Sequence, residues 1–223
     1  MSSVQTEPRP RQMAELPIPK PDSDSPGLPA ASGRPGAITL ARHGEPALSR
    51  KCLLTSQQYA NWWGRYEVGG LRAGQTPPPA LIDTAAGAGA IYASTRPRAL
   101  ETAGAIAGAK EIMIDALFIE APLPPPHFPD WFKLSPRWWG VVARFWWHVF
   151  NHHQGQETRA QATARAEQAA QVLIQRAASG EDVLVLAHGF FNHMVGVSLK
   201  ARGWKLVHNQ GFKYWSQRRY EKR

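Results

Sequence analysis

Uninterrupted apolar runs along the chain predict buried β-strands. Residues 182–187 contain the clearest of them, Val-Leu-Val-Leu-Ala, and residues 37–41 contain a second, Ala-Ile-Thr-Leu-Ala. Uncharged runs of this length are typical of strands covered on both faces, as in a parallel sheet. Shorter runs at 91–94 and 112–114 predict two further strands, and residues 212–220 predict a final strand at an edge of the sheet.

Between these runs, apolar residues recur at every third or fourth position, which predicts amphipathic helices. The predicted helices cover residues 55–67, 81–90, 98–107, 138–150, 158–180 and 190–201. Pro97 suits a first helical turn, Thr158 or a neighbour suits an N-cap, and Gly180 suits a helix end. Strands that alternate with helices predict an α/β fold, here a three-layer α/β/α sandwich around a mostly parallel central sheet.

Two segments stand apart from this alternation. Residues 1–35 contain eight prolines among serine, aspartate and glycine, a composition that buries too little apolar surface to offset its ordering entropy. We therefore predict a disordered arm over 1–35 and one folded domain over 36–223. Within that domain, residues 121–155 form a predicted insert, in which a proline-rich loop leads to the aromatic helix 138–150. Its aromatic density is typical of a lid over a pocket, a membrane-interface face, a dimer surface or the packed core of a small subdomain.

Composition narrows the class of protein. A chain of 223 residues, 43% of them hydrophobic, is long enough for one sizeable core. Its single cysteine, Cys52, cannot form an intrachain disulfide and suits the reducing cytoplasm. We expect neither a secretory leader nor a membrane-spanning helix, because the chain shows no charged-then-apolar start and no apolar run of about 18 residues.

Polar residues that suit a phosphate group follow three of the predicted strands. Arg42-His43-Gly44 follows the first strand, His188-Gly189 follows the clearest one, and Arg96 or Arg98 lies at the helix N-terminus after the strand 91–94. In a parallel sheet these strand ends share one rim, where ligands bind. Arginine offers a rigid fork of donors to phosphate oxygens, and a helix N-terminus favours an anion. Histidine can act as a nucleophile or carry a proton near neutral pH, so the three positions together predict a phosphate site.

These motifs, together with the string Ser94…Arg98-Ala99…Thr102-Ala103, resemble the histidine phosphatase superfamily, the phosphoglycerate-mutase-like proteins, over residues 37–220. The resemblance implies a phosphatase in which His43 is the nucleophile and is phosphorylated during turnover. It also implies a role for each of four further residues. Arg42, Arg98 and His188 would bind the phosphoryl oxygens, His188 also counting as catalytic, and Glu120, after the third strand, would be the general acid.

Phosphoryl transfer mainly needs positioning and stabilisation of charge on the transferring oxygens. Two guanidinium groups and a second imidazole can supply that stabilisation without a metal, so we expect no cofactor. The expected substrate is a phosphorylated small molecule or a phosphoprotein. Mutase activity is not expected, because the residues with which a mutase faces its substrate are not recognisable. Should Glu120 not be the acid, His127 or Glu45 is the next candidate.

An alternative function follows from charge. The net charge of +9 favours anionic partners, and seven of the last 22 residues are basic against one acidic, which also fits a solvated basic edge and tail. The alternative is a catalytically weak module that binds anionic or membrane surfaces weakly through residues 138–150 and the basic C-terminus. A homodimer through the aromatic segment stays open, and no specific nucleic-acid partner is expected.

Overall fold

A six-stranded sheet forms the centre of the structure. The computed structural model describes residues 33–223, so nearly all of the predicted arm (1–35) lies outside the described residues. The strands are β1 (Ile38–Arg42), β2 (Ala90–Ala93), β3 (Ile112–Ile114), β4 (Val183–Ala187), β5 (Trp204–Asn209) and β6 (Gln217–Lys222). The helices are α1 (Ser56–Glu67), α2 (Pro79–Gly87), α3 (Pro97–Gly104), α4 (Pro136–Phe150), α5 (Arg159–Ala177) and α6 (Gly189–Ala201), and a 3₁₀ turn covers Ala116–Phe118.

The strands lie in the order β3-β2-β4-β1-β6-β5 across the sheet. All of them run in one direction except β6, which is antiparallel to both of its neighbours. The central strand β4 is buried on both faces, which explains its uninterrupted apolar sequence. Its alternate residues face opposite helical layers, since Val185 packs with α5 and α6 while Leu184 packs with α2 and α3. The structure therefore confirms the three-layer α/β/α sandwich.

The C-terminal region corrects the prediction of a single edge strand over 212–220. β6 lies inside the sheet between β1 and β5, and it is β5 that forms the edge. Phe212 and Tyr214, whose apolar rings give that segment its strand-like pattern, line a cavity instead. β5 and β6 consist largely of polar residues and are held by backbone pairing, so no apolar run marks either of them.

Only some of the basic residues of this region belong to a solvated tail. Arg218 is buried in β6, and Arg219 forms ion pairs with Asp182 (2.9 Å) and Glu221 (3.3 Å). The positive charge left for an anionic surface is therefore smaller than the number of basic residues suggests.

Two helices begin with reciprocal side-chain caps. At α5, the hydroxyl of Thr158 accepts the N–H of Gln161 and the Gln161 side chain accepts the N–H of Thr158, which confirms the predicted cap. Thr55 and Gln58 do the same at α1. Such a cap contributes about 1 kcal/mol and accounts for where each helix starts.

Helices α1 and α4 form an aromatic layer that borders the cavity. Tyr59 on α1 stacks on Trp62 and on Trp139 of α4, with ring centroids 5.9 Å apart in each pair. At its other end α4 buries Trp147 in a cluster that includes Ala162 of α5. The predicted insert (121–155) is thus packed at both ends of α4 and supplies one side of the cavity. Within residues 33–223, no helix is both long and apolar enough to cross a membrane.

Candidate active site

Three strand ends bring four of the predicted site residues together. β1 and β4 are neighbours with Arg42 opposite Ala187, so His43 and His188 follow at the same rim, and their ring centroids lie 5.1 Å apart. β2 ends beside β4, and the turn after it starts α3, whose first turn carries Arg98. All four side chains line one cavity. We call Arg42, His43, Arg98 and His188 the strand-end cluster.

His43 is buried and hydrogen-bonded through both ring nitrogens. Its Nδ1 lies 2.7 Å from the carbonyl oxygen of Gly44, a contact that assigns the ring proton to Nδ1. Its Nε2 accepts a hydrogen bond from Nε of Arg98 at 3.3 Å and is therefore the unprotonated nitrogen. Burial, reinforced by the charges of Arg42 and Arg98, holds the pKa of His43 well below its usual value. The ring is thus neutral at neutral pH, as a nucleophile must be.

Gly44 is needed for packing. A methyl group on residue 44 would lie 2.4 Å from the indole ring of Trp215. The N–H of Gly44 donates to the hydroxyl of Thr102 at 2.9 Å, and that hydroxyl donates to the carbonyl of Arg98 at 2.6 Å. Thr102 therefore ties the start of α3 to the segment that carries His43.

Arg98 connects the two histidines and has a protein partner for each of its N–H groups. Besides the bond to His43, its Nη2 donates to Nδ1 of His188 at 3.4 Å and to the Glu67 carboxylate at 2.8 Å. Its Nη1 donates to the carbonyls of Tyr66 (2.8 Å) and Glu67 (3.3 Å) at the end of α1. A guanidinium has five N–H donors, and all five are used. The position of this fully buried cation is therefore determined by the protein itself.

His188 is the N-cap residue of α6 and contacts Ser94 at the end of β2. Its Nε2 lies 2.9 Å from Oγ of Ser94, and its Nδ1 accepts from Arg98, so Nε2 carries the proton. Burial, with His43 and Arg98 close by, holds the pKa of His188 well below its usual value. Both histidines of the strand-end cluster are therefore neutral.

Arg42 lies over an aromatic ring and has a buried donor, its Nε, without a protein partner. Its guanidinium carbon is 4.3 Å from the ring centroid of Tyr214, and one Nη donates to the carbonyl of Phe212. Its buried Nε has no hydrogen-bond partner among residues 33–223. Burial lowers the pKa of Arg42, but a guanidinium stays charged in proteins. A buried cation with an open donor suits an anionic ligand.

Glu120 follows the 3₁₀ turn after β3 and lines the same cavity. Its two carboxylate oxygens accept the backbone N–H groups of Phe191 (2.8 Å) and Phe190 (3.3 Å) in the first turn of α6. A carboxylate in this position satisfies N–H groups that lack partners within the helix. Glu120 thus combines a structural contact with a place at the cavity, whereas His127 and Glu45 do not line it.

The cavity has a volume of about 1010 Å³ and extends from the strand-end cluster to α1 and α4. Arg50, Tyr59 and Arg144 line it as well, and we call these three residues the side wall. The cavity is also lined by aromatic side chains, Trp62, Trp63, Tyr66, Phe190, Phe212 and Tyr214. No motif in the sequence marks the side wall, since the spacing of Tyr59 predicts only a helix face. In the described part of the chain, no three His, Cys, Asp or Glu side chains are grouped as a metal site would require.

A family model matches more than half of the chain. Residues 80–214 match the model described as Histidine phosphatase superfamily (branch 1). The matched segment contains Arg98, Glu120 and His188 and begins after Arg42-His43-Gly44. No curated protein sequence shows a significant match to the chain.

Solved structures share the fold at low sequence identity. Phosphoglycerate mutase from Bacillus anthracis aligns with a TM-score of 0.52 and 17% identity, covering 85% of this chain and 90% of that one. A protein named mycobacterial hydrolase 1 aligns with a TM-score of 0.51 and 18% identity, covering 83% and 90%. The product of an open reading frame of Mycobacterium tuberculosis aligns with a TM-score of 0.50 and 20% identity, covering 82% and 89%.

Proposed function

The chain belongs to the histidine phosphatase superfamily, and from that premise we propose that it hydrolyses phosphomonoesters through a phosphohistidine formed on His43. Family membership gives the class of enzyme, a phosphatase of the histidine phosphatase type. The observation that carries the finer proposal is the hydrogen bonding of the His43 ring. Nδ1 holds the proton against the carbonyl of Gly44, and Nε2 is the unprotonated nitrogen beside Arg98.

In the first step, Nε2 of His43 attacks the phosphorus atom and the bond from phosphorus to the ester oxygen breaks. The ring gains positive charge, which the carbonyl of Gly44 stabilises through the proton on Nδ1. Arg42 offers its open Nε to a phosphoryl oxygen. Arg98 exchanges its two longer bonds, those to the histidines, for phosphoryl oxygens, while its bonds to the end of α1 hold the guanidinium in place.

Proton transfer completes the cycle. A protonated Glu120 donates to the leaving oxygen and then takes a proton from the water that attacks the phosphohistidine. The bond between phosphorus and Nε2 breaks, phosphate leaves, and His43 returns to its neutral form. His188 accepts, through Nδ1, a hydrogen bond from a protonated phosphoryl oxygen. No metal ion takes part in this scheme, because the guanidinium groups supply the positive charge.

The substrates in this proposal are phosphorylated small molecules or phosphoproteins. The proposed location is the cytoplasm, because its reducing conditions suit a chain whose single cysteine, Cys52, is free. The reaction is hydrolysis rather than transfer within the substrate. Release of inorganic phosphate, with no isomerised ester among the products, is the expected result. An isomerised ester formed in preference to phosphate would contradict hydrolysis as the main reaction.

The decisive experiment is to trap the intermediate. After rapid quenching at alkaline pH, mass spectrometry should find the phosphoryl group, which is labile in acid, on the peptide that contains His43. His43→Ala should lower turnover of every substrate on the order of 10⁶-fold, as loss of a nucleophile does elsewhere. His127→Ala, which changes an exposed histidine outside the cavity, is the matched control. Phosphate on another residue would overturn the nucleophile assignment, and activity lost with EDTA would overturn the metal-free scheme.

A second candidate function is supported by the outer face of α4. Trp138, Phe145 and Val149 lie at helical spacing and are exposed. Helix α4 contains no acidic residue, while its two arginines, Arg137 and Arg144, line the cavity. We propose that this face contacts anionic lipid weakly. Co-sedimentation with phosphatidylserine vesicles should weaken in Trp138→Ala and at high salt, because exposed charges are screened. Binding that neither change affects would exclude this face, and a concentration-dependent dimer lost in Trp138→Ala would assign it to self-association instead.

A further inference from the structure

Three polar groups of the side wall lack the partners that buried polar groups normally have. Tyr59 is fully buried, and its hydroxyl has no hydrogen-bond partner among residues 33–223. The same holds for the buried Nε atoms of Arg50 and Arg144. Neither arginine forms an ion pair with a carboxylate in the described part of the chain. Buried polar groups without protein partners are rare in folded proteins, and these three single out the side wall as a candidate site for an anion.

The three side-wall groups are close to one another. Arg144 follows Gly140 by one turn of α4, and it therefore lies on the same side of that helix as the glycine beside the Tyr59 hydroxyl. Burial raises the pKa of Tyr59, and the charges of Arg144 and Arg50 oppose that shift. Gly140 on α4 leaves room beside the hydroxyl, because even a methyl group there would lie 3.8 Å from it. Arg50 also donates to the hydroxyl of Tyr66 at 2.9 Å and is thereby held at the cavity.

The cavity is larger than a phosphoryl group needs. Its volume of about 1010 Å³ is at the upper end of the range for sites that enclose a whole small molecule. The guanidinium carbon of Arg144 lies 4.8 Å from the ring centroid of Phe190, so the positive charge of Arg144 lies against an aromatic ring. The strand-end cluster already provides arginines for one anionic group. Arg50 lies over the same Tyr214 ring as Arg42, at 5.7 Å and 4.3 Å from its centroid, and so lies between the two regions. The charge of Arg144 on α4 is therefore the one available to a second anionic group.

We propose that Tyr59, Arg144 and Arg50 bind a second anionic group of the substrate, a carboxylate or a further phosphate-type group, while the reacting phosphoryl group lies at His43. This inference rests on the proposed phosphatase activity and narrows its substrate class. The substrate is a phosphomonoester with two anionic ends, joined by an apolar body that contacts the aromatic lining.

Synthetic esters of graded length test this assignment. The experiment compares kcat/KM for n-alkyl phosphates, ω-carboxyalkyl phosphates and ω-phosphonoalkyl phosphates of matched chain length. Each ester has one phosphate that can be hydrolysed, and the series differ only in the far end. At one range of lengths, an ester with an anionic far end should exceed its alkyl counterpart roughly 10- to 100-fold, as expected for one or two charge-assisted hydrogen bonds. The better of the two anionic series identifies the group, whereas no preference at any length would overturn the proposal.

Conservative substitutions in the side wall test whether its residues cause the preference for an anionic far end. Tyr59→Phe removes only the hydroxyl and should lower the preference about tenfold, and Arg144→Gln should reduce it to near unity. Tyr59→Phe should lower kcat/KM less for alkyl phosphates than for the anionic esters, and its melting temperature should not fall because the lost group has no protein partner. Tyr92→Phe and Arg65→Gln, outside the cavity lining, are the matched controls and should keep the preference. Equal losses for alkyl and anionic esters would show instead that these residues bind the reacting phosphoryl group.

A binding measurement separates this inference from the proposed chemistry. In His43→Ala, calorimetric titration with the ω-phosphonoalkyl phosphate should give tighter binding than with the alkyl phosphate, and Tyr59→Phe in that background should remove most of the difference. Tighter binding without any phosphatase activity of the unmodified chain would leave the second anion subsite in place and overturn only the reaction. Activity of the unmodified chain combined with equal binding would overturn the subsite alone.

Discussion

The strand-end cluster and the side wall line the same cavity, but their polar groups differ in how they are bonded. In the strand-end cluster, all N–H groups of Arg98 have protein partners, and both histidines are hydrogen-bonded through both ring nitrogens. Arg42 is the exception in that cluster, because its buried Nε has no partner among residues 33–223. In the side wall, the hydroxyl of Tyr59 and the Nε atoms of Arg50 and Arg144 have none among residues 33–223.

This difference separates reaction from recognition. The hydrogen bonds among His43, Arg98 and His188 fix the attacking nitrogen and the Arg98 cation before the substrate arrives, which is how a protein stabilises developing charge without reorganisation. Donors left open in a cavity contribute energy only when a suitable ligand fills it. Changes in the strand-end cluster should therefore affect chemistry and stability for every substrate, and changes in the side wall should affect the choice among substrates.

The largest effect among the remaining predictions concerns Glu120 and the leaving group. Glu120→Gln should slow hydrolysis of an alkyl phosphate by ~10²–10⁴-fold and that of p-nitrophenyl phosphate far less, because nitrophenolate leaves without a proton. Steady-state rates on the two esters measure the difference. Glu45→Gln, which removes a carboxylate outside the cavity lining, is the comparison and should leave both rates unchanged. Equal slowing of both esters by Glu120→Gln would mean that Glu120 acts through its bonds to α6 and not as the acid.

The next effect concerns the bonding of Arg98. Arg98→Lys keeps the charge but cannot reproduce five donors in a plane, so kcat/KM should fall ~10²–10³-fold for all esters alike. The free energy of unfolding should fall by at least about 2 kcal/mol, since buried acceptors at the end of α1 lose their donor. Arg96→Lys is the matched control, because Arg96 pairs with the same Glu67 (2.6 Å) but is partly exposed. If Arg98→Lys were stable and changed only the preference among substrates, the strand-end cluster would not differ from the side wall in its role.

The sequence predicts the strand-end cluster but not the side wall. Arg42, His43 and His188 come directly after apolar runs, and parallel strands bring such ends to one rim whatever the packing details. Arg144, in contrast, lies on a helix whose apolar spacing indicates only which face is buried. That it lacks a partner depends on how α4 packs against α1, a tertiary relation that no local pattern contains.

Sequence patterns also do not predict the groups that hold Arg98 of the strand-end cluster in place. Glu67 and the carbonyl of Tyr66 bond Arg98 from the end of α1, a helix that the sequence connects with the site by no motif. The same limit explains the misplaced C-terminal strand, where aromatic residues that line a cavity give the pattern of a strand buried in a sheet.

The smallest expected effect is a pH dependence of stability to which the strand-end cluster should contribute and the side wall should not. Burial lowers the pKa of His43 and of His188 well below 6.5 in the folded state, whereas in the unfolded chain each returns to about 6.5. Below that pH the unfolded chain binds more protons than the folded one, so the free energy of unfolding is complete above about pH 6.5 and decreases as the pH falls further. The slope is at most about 1.4 kcal/mol per pH unit for each histidine. Denaturant unfolding between pH 7.5 and 5.5 measures it, and His43→Asn should reduce the slope while Arg144→Gln should not, since an arginine does not titrate in this range. Parallel curves for His43→Asn and the unmodified chain would contradict the burial of a neutral imidazole, and with it the state of the nucleophile on which the proposed reaction depends.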